Sequence, residues 1–333
     1  MINSSALMMG DEGYTISRSV RLRSSASAYF NRTPATTNRK TYTWSGWVKR
    51  GALGANGMIF DAGEVVTPYL TRLTFQSDNT LRFVNYNSSA TIDRITTQVF
   101  RDISAWYHIV CVVDTTQATS ADRAKLYVNG QQVTSFSTNS TSIAQNTDTA
   151  INYSSYVFYM GRNLNTGDYF DGYLTEINFV DGQALTPSSF GETDAVTGVW
   201  KAKKYSGTYG TNGFYLNFSD NSNNTATTIG KDYSGNGNNW TPNNISVTSG
   251  TTYDSMLDVP TPYADGGNGR GNYCVLNPLQ SYGTGTLALT NANLTSTKTA
   301  TNSDSGWTSS FALSSGKWYA EFTFTGASVG GNN

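Results

Sequence analysis

The chain has 333 residues, of which 14% are charged, and its formal net charge is −1, so no global basic field exists to draw nucleic acid or an anionic membrane. Hydrophobic residues make up only 38%, but 21 Tyr and 15 Phe supply core volume that aliphatic side chains would otherwise provide. A bias towards Asn, Ser, Thr, Gly and Tyr favours strands and turns over helices.

The start, Met1-Ile2-Asn3-Ser4-Ser5-Ala6-Leu7, lacks a basic segment followed by an apolar one, so no signal peptide is expected. No apolar run is long enough for a transmembrane helix, and no membrane insertion is expected. Residues 1–16 are small, polar and aperiodic: an arm that is either a free tail or a peptide docked on a partner. Short alternating segments follow. Ser19-Val20-Arg21-Leu22-Arg23 alternates polar and apolar, and Tyr42–Val48 puts Tyr42, Trp44 and Gly46 on one face with Trp47 on the other. Further strands are expected at 58–61, 71–75 and 80–85. Trp106–Asp114 is the strongest strand pattern, and it contains His108, the single histidine. Ala124–Val133 reads as a hairpin, because Asn129-Gly130 tolerates the positive φ of a type I′ turn. Tyr156–Arg162 is another strand. Asp168–Phe190 is the stretch that organises the rest: apolar Phe170, Leu174, Ile177 and Phe179, a turn at Asp181-Gly182, and a helical turn opened by Thr186-Pro187.

These segments resemble laminin-G-like domains of the concanavalin A-type lectin/glucanase superfamily. Four landmarks in one order carry the resemblance: Tyr42–Val48, Trp106–Val110, Lys125–Gly130 and Phe170–Phe190. It covers residues 17–205 and implies an all-β fold, a two-sheet antiparallel jelly-roll sandwich with a packed interior. Residues 206–290 then hold one more strand, 213–218, and an Asn/Gly/Pro-rich extension or linker; 213–239 is either an extra strand on the sandwich or the start of a divergent second copy. Residues 291–333 are expected to begin a second β module, because Ser314–Phe324 resembles the opening strand of SPRY-type sandwiches.

Candidate chemistry is sparse. Two cysteines make no disulfide framework, and Cys111 and Cys274 are expected to be unpaired. The Asn-x-Ser/Thr sites at Asn31, Asn87, Asn139 and Asn239 reflect composition. His108 lacks partners in the pattern and is expected to be structural and half-buried. Glucanases of the resembling superfamily use carboxylates along one strand; here Glu176 is followed by Asn178 and by Asp181 in a turn, so no catalytic residues are assigned and glycanase activity is disfavoured. Asp232, Ser234 and Asn236 place oxygens at alternate positions before a glycine, as a calcium loop does. The resemblance adds Asp61 and Asp168 as rim calcium ligands, which makes calcium the one cofactor considered. Tyr86, Tyr153, Tyr156 and Tyr169, with Asn163 beside them, are candidates for carbohydrate binding, because sugar C–H faces stack on rings while hydroxyls take polar neighbours.

The segments Ser19–Leu22 and Asp181–Phe190 also resemble bacteriophage structural proteins. The reading is therefore a virion protein, a tail fibre, appendage or capsid fibre, found in the extracellular particle. Its partners would be other virion proteins and a host-surface glycan, with no nucleic acid. A homo-oligomer, a trimer in the first instance, is expected from the weak terminal regions. The alternative is a secreted bacterial adhesin or polysaccharide-binding module.

Overall fold

The structure is a computed structural model and describes residues 14–64, 69–165, 167–260, 270–283, 287–298, 305–315 and 319–324. Two eight-stranded antiparallel sheets dominate it. The first runs β10 (Gln131–Gln132), β9 (Ala124–Val128), β8 (Trp106–Asp114), β3 (Thr41–Arg50), β13 (Gly172–Asp181), β1 (Ser19–Leu22) and β18 (Ser255–Met256), with β16 (Phe214–Leu216) also paired to β13. The second runs β11 (Phe136–Thr141), β7 (Ser89–Val99), β6 (Thr80–Asn87), β5 (Tyr69–Phe75), β4 (Gly57–Glu64), β12 (Val157–Met160), β2 (Tyr29–Arg32) and β17 (Thr241–Asn243). Three small two-stranded sheets complete the described chain: β14 (Gly191–Thr193) with β15 (Trp200–Ala202), β19 (Leu276–Gly283) with β22 (Ser305–Ser309), and β20 (Leu287–Thr290) with β21 (Thr295–Lys298).

Strand alternation sends one set of side chains between the sheets. Tyr42, Trp44, Ile109, Cys111, Leu174, Ile177 and Phe179 of the first sheet meet Phe60, Leu73, Phe83, Phe158 and Met160 of the second. Rings touch across the gap, Trp44 against Phe60 at 6.4 Å and Phe158 against Phe179 at 6.1 Å. This is the all-β sandwich expected from the four landmarks, which lie on β3, on β8, on β9 with the turn after it, and on β13. The Asn129-Gly130 turn has φ of 47° and 79°, as a type I′ turn requires. A side chain at Gly130 would also strike the ring of Trp200. The turn after Thr186 forms at Pro187–Ser189, but Thr186 Oγ1 pairs with Ser188 Oγ at 2.8 Å and caps nothing.

The segment beyond 205 enters both sheets. β16 continues the first sheet beside β13, β17 closes the edge of the second against β2, and β18 pairs β1. Of the two readings for 213–239, the strand is therefore an addition to the sandwich. Trp240, fully buried, packs its ring at 4.9 Å from Phe214.

The outer face of the first sheet is covered as well. Trp47, Trp106 and Tyr173 form a second apolar cluster with Ile16, Ala202, Val259 and Ala292. Beneath it three basic side chains are held by two aspartates. Arg21 and Arg23 bond Asp254, and Lys49 bonds Asp258. By contrast, residues 319–324 belong to no strand, and Tyr319, Phe322 and Phe324 are 86%, 72% and 94% exposed. Gly316, Lys317 and Trp318 of the strand expected at 314–324 lie outside the described residues, as do residues 1–13 of the expected arm.

No helix among the described residues is long and apolar enough to cross a membrane.

Candidate carbohydrate-binding clefts

Two concave sites lie on the second sheet. The larger, a cleft of about 610 Å³, sits at the end of the sandwich where β4, β5 and β6 meet the 146–156 loop. Tyr69, Tyr153 and Tyr156 line it with Arg39, Lys40, Glu64, Asn87, Asn146 and Asp148. Tyr153 meets Tyr156 edge-on at 4.9 Å, and Tyr69 lies 5.9 Å from Tyr156. The guanidinium of Arg39 stacks over Tyr153 at 4.6 Å and Tyr69 at 5.4 Å. It is fixed there by two bonds to the Thr149 carbonyl, at 3.0 and 2.8 Å. The Tyr69 hydroxyl donates to the Asp148 carbonyl at 2.6 Å. Burial raises the pKa of Tyr69, and burial followed by the nearby Glu64 charge raises that of Tyr156, so both stay neutral phenols at physiological pH. The arrangement offers rigid ring faces beside acceptors and donors of both signs.

The smaller groove, about 340 Å³, lies on the outer face of the same sheet. Met58, Leu70 and Val84 form an apolar floor; Arg72, Arg82, Tyr86, Asn165 and Asp168 form the walls. Arg82 is held by Asp93 at 2.8 and 2.7 Å and reaches the Tyr86 hydroxyl at 3.3 Å.

The five expected carbohydrate residues therefore do not converge. Tyr153 and Tyr156 share the rim cleft, Tyr86 is in the outer groove, and Asn163 and Tyr169 belong to the 161–169 loop. Asn163 is buried and spent on that loop: its amide donates to Asp168 at 3.0 Å and its oxygen accepts from the Gly167 amide at 2.8 Å. Tyr169 is half-buried, 6.4 Å from Tyr29. Tyr69, Arg39 and Glu64 escaped the sequence reading, because only the sheet order brings 39, 64, 69 and 153 to one rim.

The expected calcium ligands are committed to protein donors. Asp61 is fully buried, accepts from Arg72 at 3.0 Å and from the Leu164 amide at 2.9 Å, and is pushed up to about 6 by burial. Asp168 is exposed and accepts from Asn163. Asp232 accepts from the amides of Tyr215, Ser234 and Asn238, each at 2.8 Å, and from the Ser234 hydroxyl at 2.8 Å. The Asn236 amide donates to the Gly210 and Gly213 carbonyls. That loop is a hydrogen-bonded brace for β16. Among the described residues no three His, Cys, Asp or Glu side chains gather as a metal site.

A family model described as the concanavalin A-like lectin/glucanases superfamily matches residues 23–189, about half of the chain. The chain belongs to that superfamily. Among solved structures it is similar to a heptameric pentraxin from Limulus polyphemus, at 17% identity, with 52% of this chain and 80% of that chain covered and a TM-score of 0.37. It is also similar to a putative carbohydrate-binding protein from Bacteroides ovatus, at 17% identity over 69% of this chain and 59% of that one, TM-score 0.42. A third is the pair of LG domains four and five of the mouse laminin alpha1 chain, at 16% identity over 53% and 45%, TM-score 0.38. The chain thus spans about half to four-fifths of these proteins. No curated protein matches it.

The superfamily joins lectins with glucanases, so the carboxylates of β13 matter. Glu176 is buried and bonded by phenols: the Tyr215 hydroxyl lies 2.9 Å from both its oxygens, and Tyr14 donates at 2.7 Å. Asn178 accepts from the Tyr209 hydroxyl at 2.7 Å, and Asp181 is tied to Thr37, Asn152 and Asn212. A glycosidase of this superfamily needs two carboxyls flanking an open cleft. The Glu176 carboxyl lines neither described cleft.

Burial pushes Glu176 up to about 7 from an ordinary 4.5, against the two phenol hydrogen bonds. Between these values the folded protein holds a proton that the unfolded chain has released. Its stabilising contribution is thus complete below pH 4.5 and is lost as pH rises through 7. Wild type should therefore lose about 2–3 kcal/mol relative to Glu176→Gln between pH 5 and pH 8, read from urea midpoints. Parallel pH profiles for the two proteins would show that Glu176 ionises normally.

Proposed function

We propose that this chain is a non-enzymatic structural protein of a bacteriophage particle, a tail fibre, appendage or capsid fibre, whose lectin-type sandwich binds a host-surface glycan in the rim cleft. The observation that carries the glycan reading is the tyrosine trio Tyr69, Tyr153 and Tyr156, propped by Arg39 and flanked by Glu64, Asn87 and Asn146. Ring faces take the C–H surface of a pyranose and the amides and carboxylates take its hydroxyls. The phage assignment is supported by the resemblance of Ser19–Leu22 and Asp181–Phe190 to phage structural proteins. Other virion proteins are the second class of partner, and a homo-oligomer, trimeric in the first instance, would multiply weak single-sugar contacts by effective concentration.

Binding of purified full-length protein to an array of bacterial surface polysaccharides tests the site. Tyr153→Ala and Tyr156→Ala should each weaken binding about tenfold, the equivalent of about 1.4 kcal/mol. Glu176→Gln should leave binding unchanged, and no reducing ends should be released. Full binding by the double tyrosine variant would remove the rim cleft from consideration, and turnover lost in Glu176→Gln would replace the binding role with hydrolysis. Locating the chain in micrographs of intact particles tests the virion assignment, and solution mass tests the oligomer.

A further inference from the structure

Lys49 lies on the covered face of the first sheet with its side chain fully buried. Its ammonium donates to Asp258 Oδ2, Asn272 Oδ1 and the Tyr273 carbonyl, each at 2.8 Å. Asp258 Oδ1 accepts from the Trp106 indole at 3.0 Å. The Asn272 amide nitrogen points the other way and donates to the Ser104 carbonyl at 2.6 Å. Backbone pairing holds these parts in register: the Val259 amide bonds the Gly271 carbonyl at 2.9 Å, and the Gly271 amide bonds the Leu257 carbonyl at 3.2 Å. Trp106, Tyr173 and Val259 surround the group with apolar surface, and the Tyr173 ring centre is 5.6 Å from Lys49 Nζ.

An amine, a carboxamide and a carboxyl are thus held together in a water-poor setting. We propose that Lys49 and Asn272 join in an intramolecular amide bond, with Asp258 carrying the proton. Ammonium and carboxylate first exchange one proton, giving neutral Lys49 and protonated Asp258. Burial favours that exchange from both sides, lowering the pKa of Lys49 and raising that of Asp258. The Lys49 Nζ lone pair then attacks Cγ of Asn272, forming the new C–N bond. The tetrahedral centre collapses by breaking the bond to the original amide nitrogen. That nitrogen takes one hydrogen from Nζ and one proton from Asp258, and leaves as ammonium, which restores the Asp258 carboxylate. No oxidant or cofactor is consumed. Proximity of this order replaces an otherwise slow bimolecular aminolysis.

The bond would staple the described segment 270–273, which carries Asn272, to β3 across the covered face, closing a long loop in a chain that has two free cysteines and no disulfide. This proposal is independent of any ligand in the rim cleft. Intact-mass measurement of the denatured full-length protein should show the sequence mass less one ammonia. Peptide mapping should find one branched peptide joining the Lys49 and Asn272 segments. Lys49→Arg and Asn272→Ala should each restore the full mass with no branched peptide, and Asp258→Asn should do so or greatly slow the loss. A wild-type chain at its full sequence mass after prolonged incubation in the folded state would overturn the proposal without recourse to any variant. Loss of ammonia that persists in Lys49→Arg would mean a succinimide at an asparagine, and loss of water with a branch at Asp258 would mean a different acceptor. Either result also overturns it.

Discussion

Asp254→Ala is expected to destabilise the protein by about 3–5 kcal/mol, a large part of the stability of an ordinary domain. The carboxylate is fully buried and accepts four bonds: Arg21 Nε at 3.1 Å, Arg23 Nε at 2.7 Å, Arg23 Nη2 at 3.0 Å and the Ser246 amide at 2.8 Å. Its removal leaves two guanidiniums, themselves 2% and 8% exposed, without their ion-pair partner. The cost is that of stranding charge, not the worth of a surface ion pair. The same reasoning extends to the chain as a whole. A fragment ending after residue 205 lacks β16, β17, β18, Trp240 and both anchoring aspartates, and should not fold as a cooperative unit. Urea unfolding of Asp254→Ala and proteolysis of the fragment provide the checks. An unchanged midpoint for the first, or a protease-resistant fragment, would show that the 206–260 segment is an ornament on a self-sufficient sandwich.

The second large effect is acid sensitivity through His108. The ring is buried between Trp47 at 5.1 Å and Trp200 at 5.9 Å. The Trp200 indole donates to Nδ1 at 3.0 Å, so that nitrogen must be an acceptor, and Nε2 carries the proton it shares with Ser45 Oγ at 2.9 Å. Protonation would put a hydrogen on Nδ1 facing the indole N–H, and burial drives the folded pKa down to about 3 from 6.5. The unfolded chain takes up a proton between these values and the folded one does not. The contribution is therefore whole above pH 6.5 and is lost as pH falls towards 3, by up to about 4–5 kcal/mol. The sequence places His108 half-buried, whereas the ring is fully enclosed, because the β14–β15 hairpin closes over it. Stability of wild type and His108→Gln, followed by tryptophan fluorescence from pH 7 to pH 4, should converge as pH falls. A constant difference between them would mean that His108 titrates as it would in water.

Glu176 shows how local pattern and topology divide the information. Apolar positions step by two up to Leu174 and then shift parity to Ile177 and Phe179. The structure absorbs the shift in a bulge, with the β3 pairing slipping between Thr175 and Asn178 and Glu176 at φ 52°. The parity change was legible in the residues. What the bulged side chain meets was not, because Tyr14 and Tyr215 arrive from positions 162 and 39 residues away.

The sequence alone determined the sandwich. Period-two alternation, the Asn129-Gly130 turn and the order of four landmark strands are local properties, set by side-chain sterics and backbone dihedrals, and they survive reading one segment at a time. It also supplied Tyr153 and Tyr156, since aromatic residues in a polar loop stand out without a partner. Only the tertiary structure decided that Tyr69 and Arg39 complete their cleft, that Asp61 and Asp232 are spent on protein donors, and that Asp254 and Asp258 anchor a strap over Arg21, Arg23 and Lys49. Those contacts join residues separated by up to more than two hundred positions, such as Lys49 and Asn272 at 223. Burial of a charge depends on which distant strand lies above it, and no local pattern encodes that.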